Sequence, residues 1–418
     1  MDWRTPQPNI KHLYIHIPFC HRRCSYCDFN TYANMEDRMA AYIDALCVEL
    51  RSLTSLHPCI PSSPTRAGLR PTIFLGGGTP SMLPLDLMER VLEAAGMVIP
   101  LAAAEVTVEA NPGTVLGRDY LRALRGLGVN RVSMGVQSLH DPTLKILGRI
   151  HTAAEARASY EDARRAGFDN LNLDFIFGLP GQTLEQWDAT LREIATWNVD
   201  HFSLYSLILE QKTPLYAQVM GGRISIPDDD ATADMYELAI ERLGAAGYVQ
   251  YEISNWARDD RLQVTGDRLQ GSGDRPVPYP LSPVPSAACH HNLAYWLNAD
   301  YLACGAGAHG HIFPRRYFDV LGIDEYIGRI RAGASPIAET TELTERDLQA
   351  ETMFMGLRLN AGVSYVHFRD RCGVELDVVY GAALDELAEL GLLARDEDRV
   401  RLTDRGRMLG NRVFERFV

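Results

Sequence analysis

The sequence predicts an α/β protein, an incomplete (β/α)6 barrel followed by a smaller, winged-helix-like α+β domain. Strand-like apolar runs alternate six times with segments of helical periodicity before residue 250, which is typical of a parallel sheet. The residues with distinctive chemistry follow the ends of these runs, where barrels of parallel strands place their active sites. After residue 340 the pattern changes to mostly helices.

The six predicted β/α units follow one another in chain order. The first strand ends at Pro18, and each later strand follows a segment whose apolar residues recur every three or four positions. The predicted strands are 13–17, 72–75, 105–109, 131–137, 171–177 and 201–207, and the predicted helices are 37–56, 85–98, 118–126, 153–166, 184–197 and 229–246.

Changes in composition set the predicted domain boundaries. The partial barrel is assigned to residues 1–256. Residues 257–288 are rich in Pro, Gly, Ser, Asp and Arg, which predicts a flexible insertion. A connecting segment, residues 289–340, leads to residues 341–418, where helices, a hairpin and a last helix predict the winged-helix-like domain.

Composition also restricts the class of protein. The 418 residues are 46% hydrophobic and carry a formal net charge of −13, which argues against a nucleic acid as the main partner. Three of the eight cysteines fall within eight residues, which does not suit a disulfide framework but suits a reducing cytoplasm. We expect no signal peptide and no transmembrane segment, because no apolar run reaches about 18 residues.

The clustered cysteines are Cys20, Cys24 and Cys27, in the spacing Cys-x3-Cys-x2-Cys. Thiolates in such a loop suit an iron–sulfur cluster or zinc. A structural zinc ion needs a fourth protein ligand, for which His16 or His21 is the nearby choice. A four-iron cluster held by three cysteines leaves one iron open to a small molecule.

This spacing resembles the signature of the radical S-adenosylmethionine (SAM) proteins, and the aromatic Tyr26 before the last cysteine also fits. The resemblance implies a 4Fe-4S cluster whose fourth iron is chelated by the amino and carboxylate groups of SAM. It also implies the partial barrel that the strand pattern predicts independently.

Other motifs at strand ends are ambiguous one by one. The Gly76–Gly78 run lets a backbone approach a ligand closely, and Glu109 ends a strand where it is equally a helix cap or a solvated carboxylate. Together they resemble the branch that contains oxygen-independent coproporphyrinogen III oxidase and the HemW heme chaperones. That resemblance implies SAM contacts at Tyr14, Tyr26, Gly77, Gly78, Thr79, Glu109, Gln137, Arg149 and Asp174.

Two departures separate this chain from the oxidase within that branch. The oxidase signature has a further cysteine where this chain has Phe29, and it has a longer segment before the cluster. The run His291-Asn292-Leu-Ala-Tyr295 resembles the His-Asn-x2-Tyr motif that is tied to heme binding in the HemW group. From the residues alone, His291 and Tyr295 are equally a pair on one helix face. Cys289 and His290 are the alternative heme ligands.

The function that the resemblance implies is a heme chaperone that binds heme and passes it to an acceptor protein. An electron donor to the cluster is implied, and contact with a membrane would come only through the acceptor. Whether SAM is cleaved stays open. The alternatives are oxidative decarboxylation of coproporphyrinogen III, and a non-catalytic module with a DNA-binding C-terminal domain. We expect no iron-binding role for the remaining cysteines Cys47, Cys59, Cys304 and Cys372.

Overall fold

A computed structural model describes residues 10–56, 68–113, 117–259 and 284–418. Most of the predicted insertion, namely residues 260–283, lies outside the described residues, as does Cys59.

The main sheet of the described part has nine strands, and a short pair, β2 and β3, lies outside it. The strands are β1 His12–Ile17, β2 Phe19–Cys20, β3 Tyr32–Ala33, β4 Thr72–Gly77, β5 Glu105–Ala110, β6 Arg131–Gln137, β7 Leu171–Phe177, β8 His201–Ser206, β9 Tyr248–Glu252, β10 Asn255–Arg258 and β11 Leu302–Cys304. Their order in the main sheet is β11-β1-β4-β5-β6-β7-β8-β10-β9. The six predicted strands are β1 and β4 to β8. They are all parallel, which confirms the six-unit barrel.

Three strands of this sheet lie outside the six predicted units. β11 adds to β1 in parallel, whereas β10 and β9 continue the other edge as an antiparallel pair. These short strands follow no β/α periodicity, so the sequence pattern did not predict them.

Helices connect the parallel strands. They are α1 Met39–Leu56, α2 Leu85–Val98, α3 Arg118–Gly126, α4 Asp141–Ile146, α5 Ala153–Arg165, α6 Leu184–Thr196, α7 Pro214–Met220, α8 Asp229–Ala245 and α9 His290–Trp296. Capping boxes at Thr152 and Thr183 fix the starts of α5 and α6. The short α4 and α7 were missed by the prediction. None of the described helices is both long and apolar enough to cross a membrane.

The two faces of the parallel strands differ in polarity. One face carries apolar side chains such as Ile15, Leu75 and Val108, which are buried in the main core with the helices. The other face is polar, because side chains two apart along a strand share a face. Its members are His12, Tyr14 and His16; Thr72 and Phe74; Glu105, Thr107 and Glu109; Arg131 and Ser133; Asn172 and Asp174; and His201 and Ser203.

Several buried polar groups on this second face are hydrogen-bonded across neighbouring strands, as burial favours. His12 Nε2, Thr107 Oγ1 and Arg131 Nε have no partner among the described residues. His12 Nδ1 is 3.0 Å from Thr72 Oγ1. Asn172 donates to Ser133 Oγ over 2.8 Å, and its Oδ1 lies 2.6 Å from His201 Nδ1. The inside of the barrel is therefore a polar interior.

A three-stranded sheet follows α9 and β11, and the C-terminal domain comes after it. The sheet consists of β12 His309–Ile312, β13 Arg315–Asp319 and β14 Ile337–Glu342, with α10 Ile323–Arg331 between its last two strands. The C-terminal domain has a hydrophobic cluster of its own, and its antiparallel strands and helices agree with the predicted α+β class. Its elements are α11 Glu345–Gly356, β15 Val363–Ser364, α12 Tyr365–Cys372, α13 Leu376–Glu389, β16 Leu393–Arg395, β17 Arg399–Leu402, α14 Asp404–Met408 and α15 Gly410–Phe414.

We expect Tyr42→Phe to lower the free energy of unfolding by roughly 1–3 kcal/mol, because it leaves buried groups without partners. The buried Tyr42 hydroxyl donates to His16 O over 2.8 Å and accepts from Ala306 N over 2.9 Å, so it joins α1 to β1 and to the loop after β11. Urea unfolding measures the loss.

The matched control is Tyr216→Phe, since the Tyr216 hydroxyl on α7 forms no hydrogen bond within the described residues. Equal stabilities of the Tyr42 and Tyr216 variants would contradict the assigned role of Tyr42.

Candidate functional site

A cavity of about 620 Å³ opens at the carboxyl ends of the first parallel strands. The cysteine loop, the glycine turn after β4, the end of β5 and the residues around β12 all contribute to its wall. The lining residues are Tyr14, His16, Arg23, Asp28, Phe29, Asn30, Thr31, Tyr32, Gly77, Glu109, Tyr295, Tyr301, Gly307, His309 and Leu321.

The cysteine loop is anchored to the barrel through Ser25, which stands between Cys24 and Tyr26. Ser25 donates from its backbone N to Leu147 O over 2.9 Å and from its hydroxyl to Ile146 O over 2.8 Å. Its own carbonyl accepts from Leu215 N over 2.8 Å. The end of α4 and the start of α7 therefore fix the loop in place.

A chain of side-chain contacts runs from Cys24 to Cys20 beneath this loop. Arg149 Nη1 lies 3.4 Å from Cys24 Sγ, and Arg149 Nη2 donates to Asn111 Oδ1 over 2.7 Å. Asn111 donates to Thr79 Oγ1 over 2.8 Å, and that hydroxyl lies 3.7 Å from Cys20 Sγ. We call Arg149, Asn111 and Thr79 the polar belt; it brings three of the predicted motifs into one network.

The three thiols of the loop fit an iron–sulfur cluster. All three are partly exposed, and burial raises the pKa of Cys20 to about 11 and also raises that of Cys27. A bound metal ionises such a thiol outright. The Arg149 guanidinium is within hydrogen-bonding distance of Cys24 Sγ. Arg149 Nε is buried without a partner among the described residues, which leaves one donor for a bound group.

The zinc alternative has two proposed fourth ligands, His16 and His21. His21 is exposed, and its Nδ1 lies 4.0 Å from Glu36 Oε1. His16 Nδ1 is 3.0 Å from the Tyr14 hydroxyl and its Nε2 is 2.9 Å from Asn30 O, so both ring nitrogens are in use. Within the described part of the chain, no three His, Cys, Asp or Glu side chains are grouped as ligands of one metal ion. A cluster does not need such grouping, because each thiolate binds a different iron.

The glycine turn after β4 is a point of close packing. Gly77 has φ +109°, and a Cβ there would lie 2.4 Å from the His16 ring. A Cβ on Gly78 would lie 2.5 Å from Phe19 O. The amides expected to face a ligand are already bonded, since Gly77 N donates to Glu109 Oε2 over 3.0 Å and Gly78 N to Ile17 O over 2.9 Å. The amide of Thr79 likewise donates to Phe19 O.

Two carboxyl groups give the inner end of the cavity its electrostatic character. Burial, and then the charge on Asp174, raises the pKa of Glu109 to about 7. Burial also raises the pKa of Asp174, although Asn172 and Ser133 donate hydrogen bonds to its carboxylate. A cationic ligand such as the amino or sulfonium group of SAM would restore the charged form of Glu109.

Gln137 occupies a bulge at the end of β6. Its backbone has φ +68°, an uncommon value for a residue other than glycine, and the register of β6 and β7 shifts between Gly135 and Gln137. A Cβ on Gly135 would lie 2.7 Å from Gln137 Nε2 and 3.2 Å from Asn111 Oδ1. The bulge therefore brings the Gln137 amide beside the polar belt.

The predicted heme residues lie around the inner end of the same cavity. Tyr295 lines the cavity, and its hydroxyl is 2.9 Å from His291 Nε2. His291 Nδ1 is 2.7 Å from Thr72 Oγ1, and its ring stacks on Phe74 with centroids 4.9 Å apart. The helix-face pair is thus confirmed, and the buried His291 would bind iron only by giving up one of two hydrogen bonds. Asn292 lies on the same helix but does not line the cavity.

The alternative heme ligands are also enclosed by protein. The buried Cys289 thiol lies 3.6 Å from Glu105 Oε1, and burial raises its pKa to about 12. His290 Nδ1 accepts from Arg70 N over 3.3 Å. Glu105 also accepts from the backbone N of His290 and of His291, so it caps the start of α9.

Three residues of the site, Asn111, Asn30 and His309, were not predicted from the sequence. Asn111 directly follows β5 in the run that contains Glu109, and this position at a strand end was a usable signal. Asn30 and His309 are brought to the cavity by contacts between residues more than 270 positions apart, which no local pattern indicates.

We expect the free energy of unfolding of the ligand-free protein to respond to pH through Glu109. The pKa of Glu109 is about 7 in the folded protein, against an ordinary value of 4.5, so the folded state binds the carboxyl proton more tightly than the unfolded state does. The stability of the folded state therefore falls as the pH rises between these two values. Glu109→Gln removes this dependence. The free energy of unfolding of the variant, relative to that of the wild type, should therefore rise by up to roughly 3 kcal/mol between low pH and pH 8.

Urea unfolding of both proteins from pH 4.5 to 8 measures this difference. Glu252, whose pKa burial also raises to about 7, is unchanged in the variant, so its contribution cancels. A stability difference that does not vary with pH would show that the Glu109 pKa is not raised.

Comparison with known families and proteins identifies the relatives of this chain. Residues 14–194 match the radical SAM superfamily, and residues 343–409 match the HemN C-terminal domain. The chain is 36% identical over 411 residues to the heme chaperone HemW of Bacillus subtilis, with 98% of this chain and 99% of that protein aligned. It is 35% identical over 415 residues to the heme chaperone HemW of Escherichia coli, with 97% of each aligned.

The fold is shared with a solved structure, that of coproporphyrinogen III oxidase (HemN) from Escherichia coli. The TM-score is 0.77 at 24% identity, over 99% of this chain and 91% of that chain. This likeness confirms the partial barrel with its smaller C-terminal domain. On the full-length identity to the two HemW proteins, the chain belongs to the HemW family of the radical SAM superfamily.

Proposed function

We propose that this protein is a heme chaperone that carries a 4Fe-4S cluster and SAM, and that it passes heme to an acceptor protein. The observation that carries the proposal is one cavity whose wall includes Arg23 and Asp28 from the cysteine loop, together with Glu109 and Tyr295. The three cysteines flank this wall and do not line it. Full-length similarity to proteins named as heme chaperones supports it.

Each part of the site has a role in this proposal. Cys20, Cys24 and Cys27 would hold three irons of the cluster, and the polar belt would keep two of the thiols at fixed positions. When bound, the cluster supplies an electron to SAM. Glu109 would bind the cationic part of SAM, with Tyr14 beside it in the cavity wall.

The proposal includes partners that reach the site from outside. An electron donor would approach the partly exposed cysteine loop, and the acceptor protein would receive heme at the cavity mouth. We propose the cytoplasm as the compartment, because free thiols there stay reduced. A membrane would be met only through the acceptor.

Replacing Cys20, Cys24 or Cys27 by Ala should abolish the four-iron cluster, because three thiolates are needed to hold it. Anaerobic reconstitution with iron and sulfide, followed by iron and sulfide analysis, measures the loss. Cys304→Ala and Cys372→Ala are the controls, since neither residue belongs to the cysteine loop. Four irons per chain in a variant that lacks all three loop cysteines would contradict the assignment.

The reconstituted wild type should bind heme and should convert no coproporphyrinogen III when SAM and a reductant are present. The physical reason lies in the loop, where the exposed Phe29 stands at the position of the oxidase's further cysteine. A heme titration and a porphyrin product assay on the same preparation measure both properties. Stoichiometric formation of protoporphyrinogen IX would replace the chaperone proposal by the oxidase.

A further inference from the structure

Exposed apolar side chains lie at the mouth of the cavity, and binding of SAM and the cluster does not account for them. Phe29 is 66% exposed and Leu321 is 52% exposed, and both line the cavity. Exposed apolar side chains that share one concave surface usually mark a binding site. A flat, apolar ligand would cover both.

These two residues lie on separate segments that are firmly joined. Asn30 donates from Nδ2 to Leu321 O over 3.1 Å and to Ala306 O over 3.0 Å. The Tyr32 hydroxyl donates to Leu321 O over 3.0 Å. The apolar mouth is therefore preorganised, because two hydrogen bonds join the cysteine loop to the segment after β13 and a third joins it to the loop after β11.

His309 is the exposed histidine among the residues that line this cavity. It begins β12, pairs across the sheet with Phe318, and stacks on that ring with centroids 5.1 Å apart and planes 22° from parallel. Its ring nitrogens have no hydrogen-bond partner among the residues that the structure describes. Burial, and then the charge of Arg316, lowers the pKa of His309, which favours the neutral imidazole, the form that binds metal.

Apart from His309, the histidines of the cavity wall and of the predicted heme ligands are committed to internal contacts. His16 and His291 each use both ring nitrogens, and His291 is 1% exposed. His290 accepts a hydrogen bond from Arg70 and does not line the cavity. An axial ligand from any of these would cost a hydrogen bond, whereas His309 can bind without losing one. His21 in the cysteine loop is exposed, but it does not line the cavity.

The mouth of the cavity also carries a positive charge, the guanidinium group of Arg23. Arg23 lines the cavity, is exposed, and lies close to Phe29, whose carbonyl is 3.4 Å from its Nη2. Guanidinium groups bind carboxylates in paired geometry. An imidazole, an apolar platform and a guanidinium match the iron, the macrocycle and the propionates of heme.

We infer that His309 is the axial ligand of heme, which lies at the cavity mouth against Phe29 and Leu321, outside the SAM-binding end. This inference rests on the proposed heme chaperone function. It moves the iron ligand from the buried His291 to an accessible strand residue. At the mouth one edge of the heme stays open, which lets an acceptor protein take it without opening the barrel.

The test is a titration of the reconstituted full-length protein with ferric heme, followed by electron paramagnetic resonance. An oxidised 4Fe-4S cluster is silent in this measurement, so the signal reports the heme iron and its axial ligands. His309→Ala should weaken heme binding about tenfold or more and change the heme signal, with iron content of the cluster unchanged. In His309→Gly, added imidazole should restore the wild-type signal.

His140→Ala is the matched control, because His140 is an exposed histidine next to α4 that does not line the cavity. It should bind heme as the wild type does. A wild type that binds no heme would overturn the proposed function itself. A wild type that binds heme, beside a His309→Ala variant with the same affinity and signal, would overturn only the ligand assignment. Loss of the signal in His291→Ala alone would return the ligand to His291.

Discussion

The polar belt beneath the cysteine loop is the interaction on which the site depends. Arg149 reaches it from the segment between α4 and α5, Asn111 from the end of β5, and Thr79 from the turn after β4. None of these residues is near the cysteines in sequence, yet together they contact the thiols of Cys24 and Cys20. Ser25 anchors the backbone of the loop, but without the polar belt the side chains of Cys20 and Cys24 would have to be ordered by the cluster, at a cost in conformational entropy.

Arg149 also constrains the backbone around it. Its Nη2 donates to Gly135 O over 2.6 Å, directly before the bulge that turns Gln137 towards the same group. Gly135 has no side chain, and a Cβ there would collide with Gln137 and crowd Asn111. The uncommon backbone conformation of Gln137 is therefore the consequence of packing three polar side chains over one glycine.

The polar interior of the barrel explains why the heme motif has a structural role. His291 and Tyr295 extend a hydrogen-bonded series that begins at His12 and Thr72, at the amino ends of β1 and β4. Glu105 fixes the start of α9 in that position. The motif closes the inner end of the cavity, and only Tyr295 faces the open space. A role in heme binding and a role in closing the barrel are compatible, because the cavity continues from Tyr295 to the mouth.

The sequence by itself determined the six parallel strands, most of their helices and the cysteine loop, because hydrophobic periodicity and ligand spacing are local properties. It also indicated that Glu109 and Gln137 stand at strand ends. Asp174 was expected at such an end as well, but it lies in the middle of β7 and its carboxylate faces the polar interior. Only the tertiary structure decided which groups are accessible. In the folded protein the amides after Gly76 form internal hydrogen bonds, and His291 is buried. The strands β9, β10 and β11 extend the edges of the sheet. The tertiary structure brought His309 and Phe29 into the wall of one cavity across a chain separation that no periodic pattern spans, since exposure and distant contacts depend on packing between elements rather than within them.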